Sequence, residues 1–155
     1  MQKQLYTGHM RLDLAQPLTQ GNVILFKGNK NLGKTRLAIS AINQFLQADE
    51  NNRAIYVGLS KITSAKAFDK LQADLQKRAA FFTVGGEDTA ISDAEYILAP
   101  YLALQTAQAY LREEDGKTTS KNLLFVFDDV LLHHFKERHV FDLANQPFSP
   151  INIYN

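Results

Sequence analysis

Short apolar runs alternate along this chain with stretches whose apolar residues recur at helical spacing. Short, continuous apolar runs are typical of strands that are buried on both faces of a sheet. We predict strands at 23–27, 54–59, 80–84, 123–127 and 151–154. Strands that alternate with helices indicate an α/β fold, in which helices cover both faces of a mostly parallel sheet.

Two helices are predicted from apolar stripes in the first half of the chain. The helix after the first strand should bury Leu37, Ala38, Ile42, Phe45 and Leu46. We expect Thr63 or Ser64 to cap the next helix, because a hydroxyl oxygen can accept from the first free N–H groups. The buried face of that helix should consist of Phe68, Leu71 and Leu75.

The second half of the chain carries a clear helix start. Ser92 and Glu95 have the spacing of a capping box, which predicts a helix that runs to about Arg112. Pro100 is expected to split or kink this helix, because proline removes one backbone donor. A short helix is predicted at 130–139. Residues 1–22 are a lead-in segment, whose predicted docking residues are Met10, Leu12, Leu14 and Leu18.

Composition narrows the possible classes of protein. At 155 residues the chain suits a single domain with a substantial core. Lys and Arg total 17 against 16 Asp and Glu, and this net charge of +1 argues against a nucleic-acid partner. The absence of cysteine excludes disulfides and thiolate metal sites. No apolar stretch approaches the ~20 residues that span a bilayer, so we expect no direct membrane insertion.

The glycine loop, residues 28–35, carries the strongest functional signal. Gly28, Gly33, Lys34 and Thr35 have the full spacing of a phosphate-binding P-loop, between a predicted strand and a predicted helix. Glycine lets the backbone wrap closely round a phosphate, and the helix N-terminus attracts the anion. An ordinary glycine-rich turn with an exposed lysine is the alternative. The predicted phosphate-binding residues are Gly28, Asn29, Lys30, Asn31, Leu32, Gly33, Lys34, Thr35 and Arg36.

A second element of the same site is predicted at the end of an apolar strand. The run LLFVFDD delivers Asp128 to the carboxyl edge of the sheet, where a carboxylate can hold Mg²⁺ directly or through water. Thr35 and Asp128 are therefore the predicted Mg²⁺ residues. A solvated turn carboxylate is the alternative reading of Asp128.

Candidates for further chemistry are fewer. Hydrolysis needs a group that orients the attacking water, and the predicted strand 54–59 ends at Ser60 and Lys61 with no carboxylate. The cluster HHFKERH places His133 or His134 near His139 on adjacent helical turns, a possible metal site. We favour a polar surface helix for this cluster, and we predict no catalytic residue.

With these residues in place, the chain resembles the nucleotide-binding domain of the α subunit of F-type ATP synthases. The resemblance extends over most of the chain, in order and spacing. The paired aspartates of LLFVFDD are typical of α subunits, and TAISDAEYILAPY is similar to a stretch that the β subunit lacks. The other similar segments are Thr7–Asn22, the glycine loop with its helix, 54–60 and 145–155.

The resemblance implies one RecA-like domain over residues 1–155, without the β-barrel and C-terminal helical domain of the family. It implies ATP or ADP and Mg²⁺ as ligands, bound without turnover, since the β subunit carries the chemistry in that family. It implies other α- and β-type subunits as partners in a hetero-oligomeric ring. The expected location is the matrix face of the mitochondrial inner membrane or the cytoplasmic face of a bacterial plasma membrane.

The chain also departs from the family. Lys61 stands where β has its catalytic glutamate and α a glutamine, and Thr63 stands for a family arginine. The chain stops at Asn155, directly after the predicted start of a strand at 151–154, which suggests a fragment or a subunit whose sheet edge a partner covers. Three functions remain open: a non-catalytic nucleotide-binding subunit, a degenerate scaffold, and a small active P-loop NTPase with Asp129 or Glu87 as its base.

Overall fold

The computed structural model of the chain describes residues 4–15, 17–29, 31–84, 92–114, 117–118 and 122–143. The helices are α1 (Met10–Ala15), α2 (Lys34–Ala48), α3 (Lys61–Asp69), α4 (Asp93–Leu111) and α5 (Val130–Leu143), and a 3₁₀ turn spans Gln76–Arg78. The strands are β1 (Gln4–Leu5), β2 (Leu18–Thr19), β3 (Asn52–Gly58), β4 (Ala79–Thr83), β5 (Glu113–Glu114), β6 (Lys117–Thr118) and β7 (Asn122–Asp128). The pairs β1–β2 and β5–β6 are short antiparallel ladders.

A parallel sheet of order β4-β3-β7 forms the centre of the fold. The predicted strands 54–59, 80–84 and 123–127 are therefore confirmed, each within two residues. Gly58, at the end of β3, lies opposite Thr83 of β4 and Asp128 of β7. Since all three strands run the same way, their carboxyl ends meet at one edge, and Asp128 is delivered to that edge.

Helices cover both faces of this sheet, as predicted. On one face α2 packs against the even-numbered residues of β3, with Ile42, Leu46, Ala54 and Tyr56 at the centre of the cluster. On the other face α4 packs against the odd-numbered residues of β3, such as Ile55. The two faces of β3 are both apolar, because a central parallel strand is sandwiched between two helical layers.

The predicted strand 23–27 is not a strand in the structure. This segment pairs with no other strand among the described residues, and Val23 and Leu25 are 80% and 71% exposed. An apolar run becomes a strand only where a neighbour satisfies its backbone N–H and C=O groups. The described sheet ends at β7, so the run 23–27 precedes the glycine loop without such a neighbour.

Two helix predictions also need correction. Helix α3 begins at Lys61, before the predicted cap at Thr63 or Ser64, and it ends at Asp69. Leu71 and Leu75 are buried as predicted, but in the turns after α3, where tertiary packing replaces helical periodicity. Phe68 lies within α3, but its side chain is 39% exposed, so it is not part of a buried helical face.

Helix α4 starts at the predicted capping box. The Ser92 hydroxyl accepts from the Glu95 N–H at 3.4 Å, and the Glu95 carboxylate accepts from the Ser92 N–H at 3.5 Å. The helix then runs without a break through Pro100, so the predicted split is wrong. Pro100 is buried, and the bonds of the flanking turns keep the helix continuous despite the one missing donor.

The lead-in segment docks differently from the prediction. Met10 and Leu14 are 74% and 78% exposed, whereas Leu5 packs on the α2 side of the core. Thr7 is buried, and its N–H and hydroxyl both donate to Asp13 Oδ1 at 2.8 Å. Hydrogen bonds between Thr7 and Asp13 therefore hold this segment at the place where the apolar spacing predicted a hydrophobic contact. The predicted strand 151–154 lies outside the described residues.

Candidate phosphate and cation site

The glycine loop has the left-handed backbone that its sequence requires at one glycine. Gly33 has φ 81° and ψ 16° and immediately precedes α2. Asn31 also lies in the left-handed region, at φ 65°, a conformation that asparagine tolerates better than most residues. Gly28 is not in that region, but a Cβ there would lie 3.0 Å from Leu32 Cδ1. Leu32 is 69% exposed and its side chain is free to shift, so of the two motif glycines only Gly33 is required by its backbone angle.

The Lys34 side chain stabilises the glycine loop by hydrogen bonds to its backbone. Its Nζ donates to the carbonyl oxygens of Gly28 at 3.0 Å and Asn29 at 2.8 Å. An ammonium has three donors, so one proton remains for a further acceptor. The lysine thereby places a fixed positive charge at the mouth of the loop, beside the start of α2.

The start of α2 supplies backbone donors at the same place. The first bond of the helix runs from the Leu37 N–H to the Gly33 carbonyl at 2.9 Å. The N–H groups of residues 34–36 therefore precede any intrahelical acceptor, as at every helix start. With 15 residues α2 also carries a helix dipole whose positive end faces the loop. Such an end is suited to an anion such as phosphate.

Thr35 and Asp128 meet across the fold, 93 residues apart in the chain. The Thr35 hydroxyl donates to Asp128 Oδ2 at 2.6 Å. Hydroxyl and carboxylate oxygens are the hard ligands that Mg²⁺ prefers, and donation of the Thr35 proton leaves its lone pairs available. The predicted pair of cation residues is thus in direct contact, and its chemistry fits a divalent cation.

Tyr56 completes this contact and was not singled out by sequence reasoning. Its hydroxyl donates to the same Asp128 Oδ2 at 2.8 Å, and its side chain is fully buried. Burial and the neighbouring Asp128 charge raise the pKa of Tyr56, so it stays protonated as a donor. The available signal was the even spacing that puts Tyr56 on the α2 face of the sheet.

A surface depression of about 590 Å³ borders the glycine loop. Its lining includes His9, Leu25, Phe26, Lys34 and Arg36. This size lies within the range of small-molecule sites in proteins. Thr35 and Asp128 are not among its lining residues, so the depression extends the surface beside the glycine loop but contributes no cation ligand.

Other predicted residues play different parts or lie outside the described residues. Asp129 Oδ1 accepts from the N–H groups of Leu131 and Leu132 at 3.0 and 3.4 Å, which makes Asp129 the cap of α5. Lys30 and Glu87 are outside the described residues, and so are the side chains of Lys61 and Thr63.

The histidine cluster is not the polar surface helix that we favoured. His133 and Glu137 are buried at 1% and 3% exposure, one helical turn apart on α5. Burial lowers the pKa of His133, and the nearby Glu137 opposes that shift. Within the described residues no group of three metal-ligating side chains comes together. The helix α5 packs on α4, and this contact decided the burial of the two residues.

No helix within the described ranges is both long and apolar enough to cross a membrane.

The parallel sheet with helices on both faces and the glycine loop before α2 define an α/β domain of the RecA-like class. No protein-family model matches this chain. The chain is 32% identical over 146 residues to ATP synthase subunit alpha 1 of Listeria welshimeri, covering 92% of this chain and 27% of that protein. It is 27% identical over 143 residues to ATP synthase subunit alpha of Mycoplasma genitalium, covering 92% of this chain and 26% of that protein.

The chain is thus homologous to part of ATP synthase α subunits, and the resemblance read from the sequence is confirmed. A third relative, ATP synthase subunit alpha 1 of Listeria monocytogenes, is 31% identical over 146 residues. The chain spans about 27% of the length of these curated relatives.

Proposed function

We propose that this chain is an α-type, non-catalytic nucleotide-binding subunit, or part of one, of an F-type ATP synthase or related rotary ATPase. Its glycine loop would bind the phosphates of ATP or ADP, and Thr35 and Asp128 would hold Mg²⁺. The observation that carries the proposal is the 2.6 Å bond between Thr35 and Asp128, beside a loop that Lys34 holds in place. Two distant motif residues meet where a nucleotide-bound cation would need them.

The groups described around this site support binding without turnover. Hydrolysis requires a carboxylate or amide that orients water, and β3 leads into Leu59, Ser60 and Lys61 instead. Asp129, one of the two alternative bases, uses one carboxylate oxygen to cap α5. The Asp129 side chain therefore supports helix structure, and this weighs against a small active NTPase.

The partners that we propose are other α- and β-type subunits in a ring or related complex. Exposed apolar side chains of α4 and α5 support an assembly surface: Leu98 (56%), Leu102 (59%), Leu131 (59%) and Phe135 (64%). Within each helix the two residues are four apart, so they share one face. The complex would be peripheral to the mitochondrial inner membrane or to a bacterial plasma membrane.

Titration of the purified full chain with ATP tests the proposal, with and without Mg²⁺, by calorimetry. We expect binding that Mg²⁺ strengthens, together with little phosphate release. Lys34→Ala removes one charged phosphate contact and should weaken binding about 10- to 100-fold. Lys66→Ala, an equal charge change on the exposed side of α3, is the matched control and should bind like the wild type.

If neither the purified chain nor its complex with partner subunits bound nucleotide, the proposal would fail. Rapid phosphate release by the isolated chain would contradict the non-catalytic assignment.

A scaffold role is the second candidate, and the same exposed leucines and phenylalanine of α4 and α5 favour it. Its test is assembly: the Lys34→Ala variant is co-purified with α- and β-type subunits. Unchanged assembly, with no nucleotide recovered from the wild-type complex, would favour a scaffold over a nucleotide-binding subunit.

A further inference from the structure

The carboxylate of Asp128 carries two hydrogen bonds, and both reach the same oxygen. Thr35 and Tyr56 donate to Oδ2 at 2.6 and 2.8 Å. Among the described residues no group donates to Oδ1. The carboxylate is therefore held by one oxygen and leaves the other for an outside partner, which distinguishes an oriented ligand from a solvated turn residue.

The sheet register explains how Tyr56 reaches this carboxylate. Tyr56 lies opposite Val126 on β7, and Gly58 lies opposite Asp128. Because side chains alternate between faces, Tyr56 and Asp128 point to the same face, two residues apart along the strands. Gly58, which has no side chain, stands beside Asp128 on β3, so the tyrosine hydroxyl can extend over it.

Packing holds the Tyr56 ring in place independently of the hydrogen bond that its hydroxyl makes. The side chain is fully buried and packs against Phe81 of β4, with ring centroids 5.1 Å apart. Phe81 is in turn packed edge-on against Phe68, at 5.2 Å. A donor on a rigid, packed ring restricts the rotation of the acceptor far more than a donor on a mobile surface side chain.

We propose that Tyr56 is a positioning residue for the nucleotide-bound divalent cation, acting through Asp128. It holds the Asp128 carboxylate by Oδ2 so that Oδ1 is directed to the cation or to its bound water. It also keeps the Thr35 hydroxyl donating to Asp128, so that the Thr35 oxygen presents lone pairs to the cation. This inference rests on the proposed nucleotide site and adds to it a residue on the central strand.

The test uses Tyr56→Phe, which removes only the hydroxyl and keeps the packed ring. The matched control is Tyr96→Phe, which removes a tyrosine hydroxyl from α4. The ATP affinity of the full chain is measured in EDTA and in Mn²⁺. Binding of Mn²⁺ is also followed by electron paramagnetic resonance. We expect Tyr56→Phe to reduce the Mn²⁺-dependent gain in affinity about fivefold to tenfold. Its affinity in EDTA should equal that of the wild type, and Tyr96→Phe should change neither value.

A double-mutant cycle with Asp128→Asn separates positioning from general support of the fold. In the Asp128→Asn background, Tyr56→Phe should have no further effect on the Mn²⁺-dependent gain. Full additivity of the two changes would overturn the inference. So would equal losses in EDTA and in Mn²⁺, since they would indicate a damaged fold.

The two levels of the proposal fail in different ways. A wild-type chain that binds no ATP under either condition refutes the nucleotide site and the role of Tyr56 together. A wild-type chain that binds MnATP, with an unchanged Tyr56→Phe variant, refutes only the role of Tyr56.

Discussion

Replacing Gly33 with alanine tests how much of the glycine loop is fixed by backbone geometry. Gly33 adopts φ 81° and ψ 16°, and an added Cβ would meet nothing within 4 Å. The cost is therefore the strain of a left-handed alanine, without a clash, and amounts to about 1–2 kcal/mol. For a chain of this size that strain lowers Tm by roughly 2–8 °C.

Gly21→Ala is a matched control for this strain. Gly21 has φ 82° and also has open space around its Cβ position. Gln20, the neighbour of Gly21, donates at 3.3 Å to Asn122, the first residue of β7. Helix α2, through Thr35, contacts Asp128, the last residue of β7. Six residues of strand separate these points by about 20 Å. Gly21→Ala should thus cost similar stability at a distance from the nucleotide site.

Urea unfolding followed by circular dichroism gives the free energy of unfolding of each variant, and ATP titration gives the affinity. Both alanine variants should lose about the same stability, and only Gly33→Ala should weaken ATP binding, because its strain reorients the N–H groups at the start of α2. Gly33→Asn should recover part of the stability, since asparagine tolerates the left-handed region.

A Gly33→Ala variant as stable as the wild type would refute this reasoning, because it would mean that the loop reaches another conformation without strain. A loss well above 4 kcal/mol would refute it in the other direction, by pointing to a clash that the open space excludes.

Two further predictions concern buried polar groups. Asn52→Ala should lower the free energy of unfolding by about 1–3 kcal/mol, because Asn52 donates to the Phe45 carbonyl at 2.8 Å and accepts from Asn122 at 3.0 Å. Urea unfolding tests this, and an unchanged midpoint would contradict it. Burial lowers the pKa of His133 below its ordinary value of about 6.5 despite the charge of Glu137, so the unfolded chain binds the extra proton first. Stability should therefore fall as the pH drops below about 6.5, and His133→Gln should flatten that part of the profile. Parallel profiles for the two proteins, measured by thermal unfolding, would show that His133 does not contribute.

Helix and strand positions were predictable wherever a local pattern coincided with packing. The capping box at Ser92 and Glu95 needs only residues that are neighbours in sequence, and it forms as predicted. The apolar run of β3 is central in the described sheet and mostly buried, and the apolar run of β7 pairs with β3 and is half-buried, so composition and environment agree. The run 23–27 shows the limit of this reasoning: it is as apolar as the others, but it has no partner strand among the described residues.

The candidate site divides in the same way. The spacing from Gly28 to Thr35 predicted a loop followed by a helix, and the loop conformation at Gly33 is a local property of that sequence. The bond from Tyr56 to Asp128 depends on the register between β3 and β7, which residues 72 apart in the chain do not encode in any short pattern. Tyr56 was therefore one tyrosine among six until the sheet was assembled.

By itself, the sequence determined the alternation of strands and helices, the glycine loop before α2 and the aspartate at the end of β7. These features follow from chain geometry over a few residues: side-chain alternation in strands, helical periodicity and the conformational freedom of glycine. The tertiary structure alone decided that Thr35 and Tyr56 share one oxygen of Asp128, and that His133 is buried against α4. Such contacts join distant segments, so their geometry is fixed only when the register of the strands and the packing of the helices are fixed.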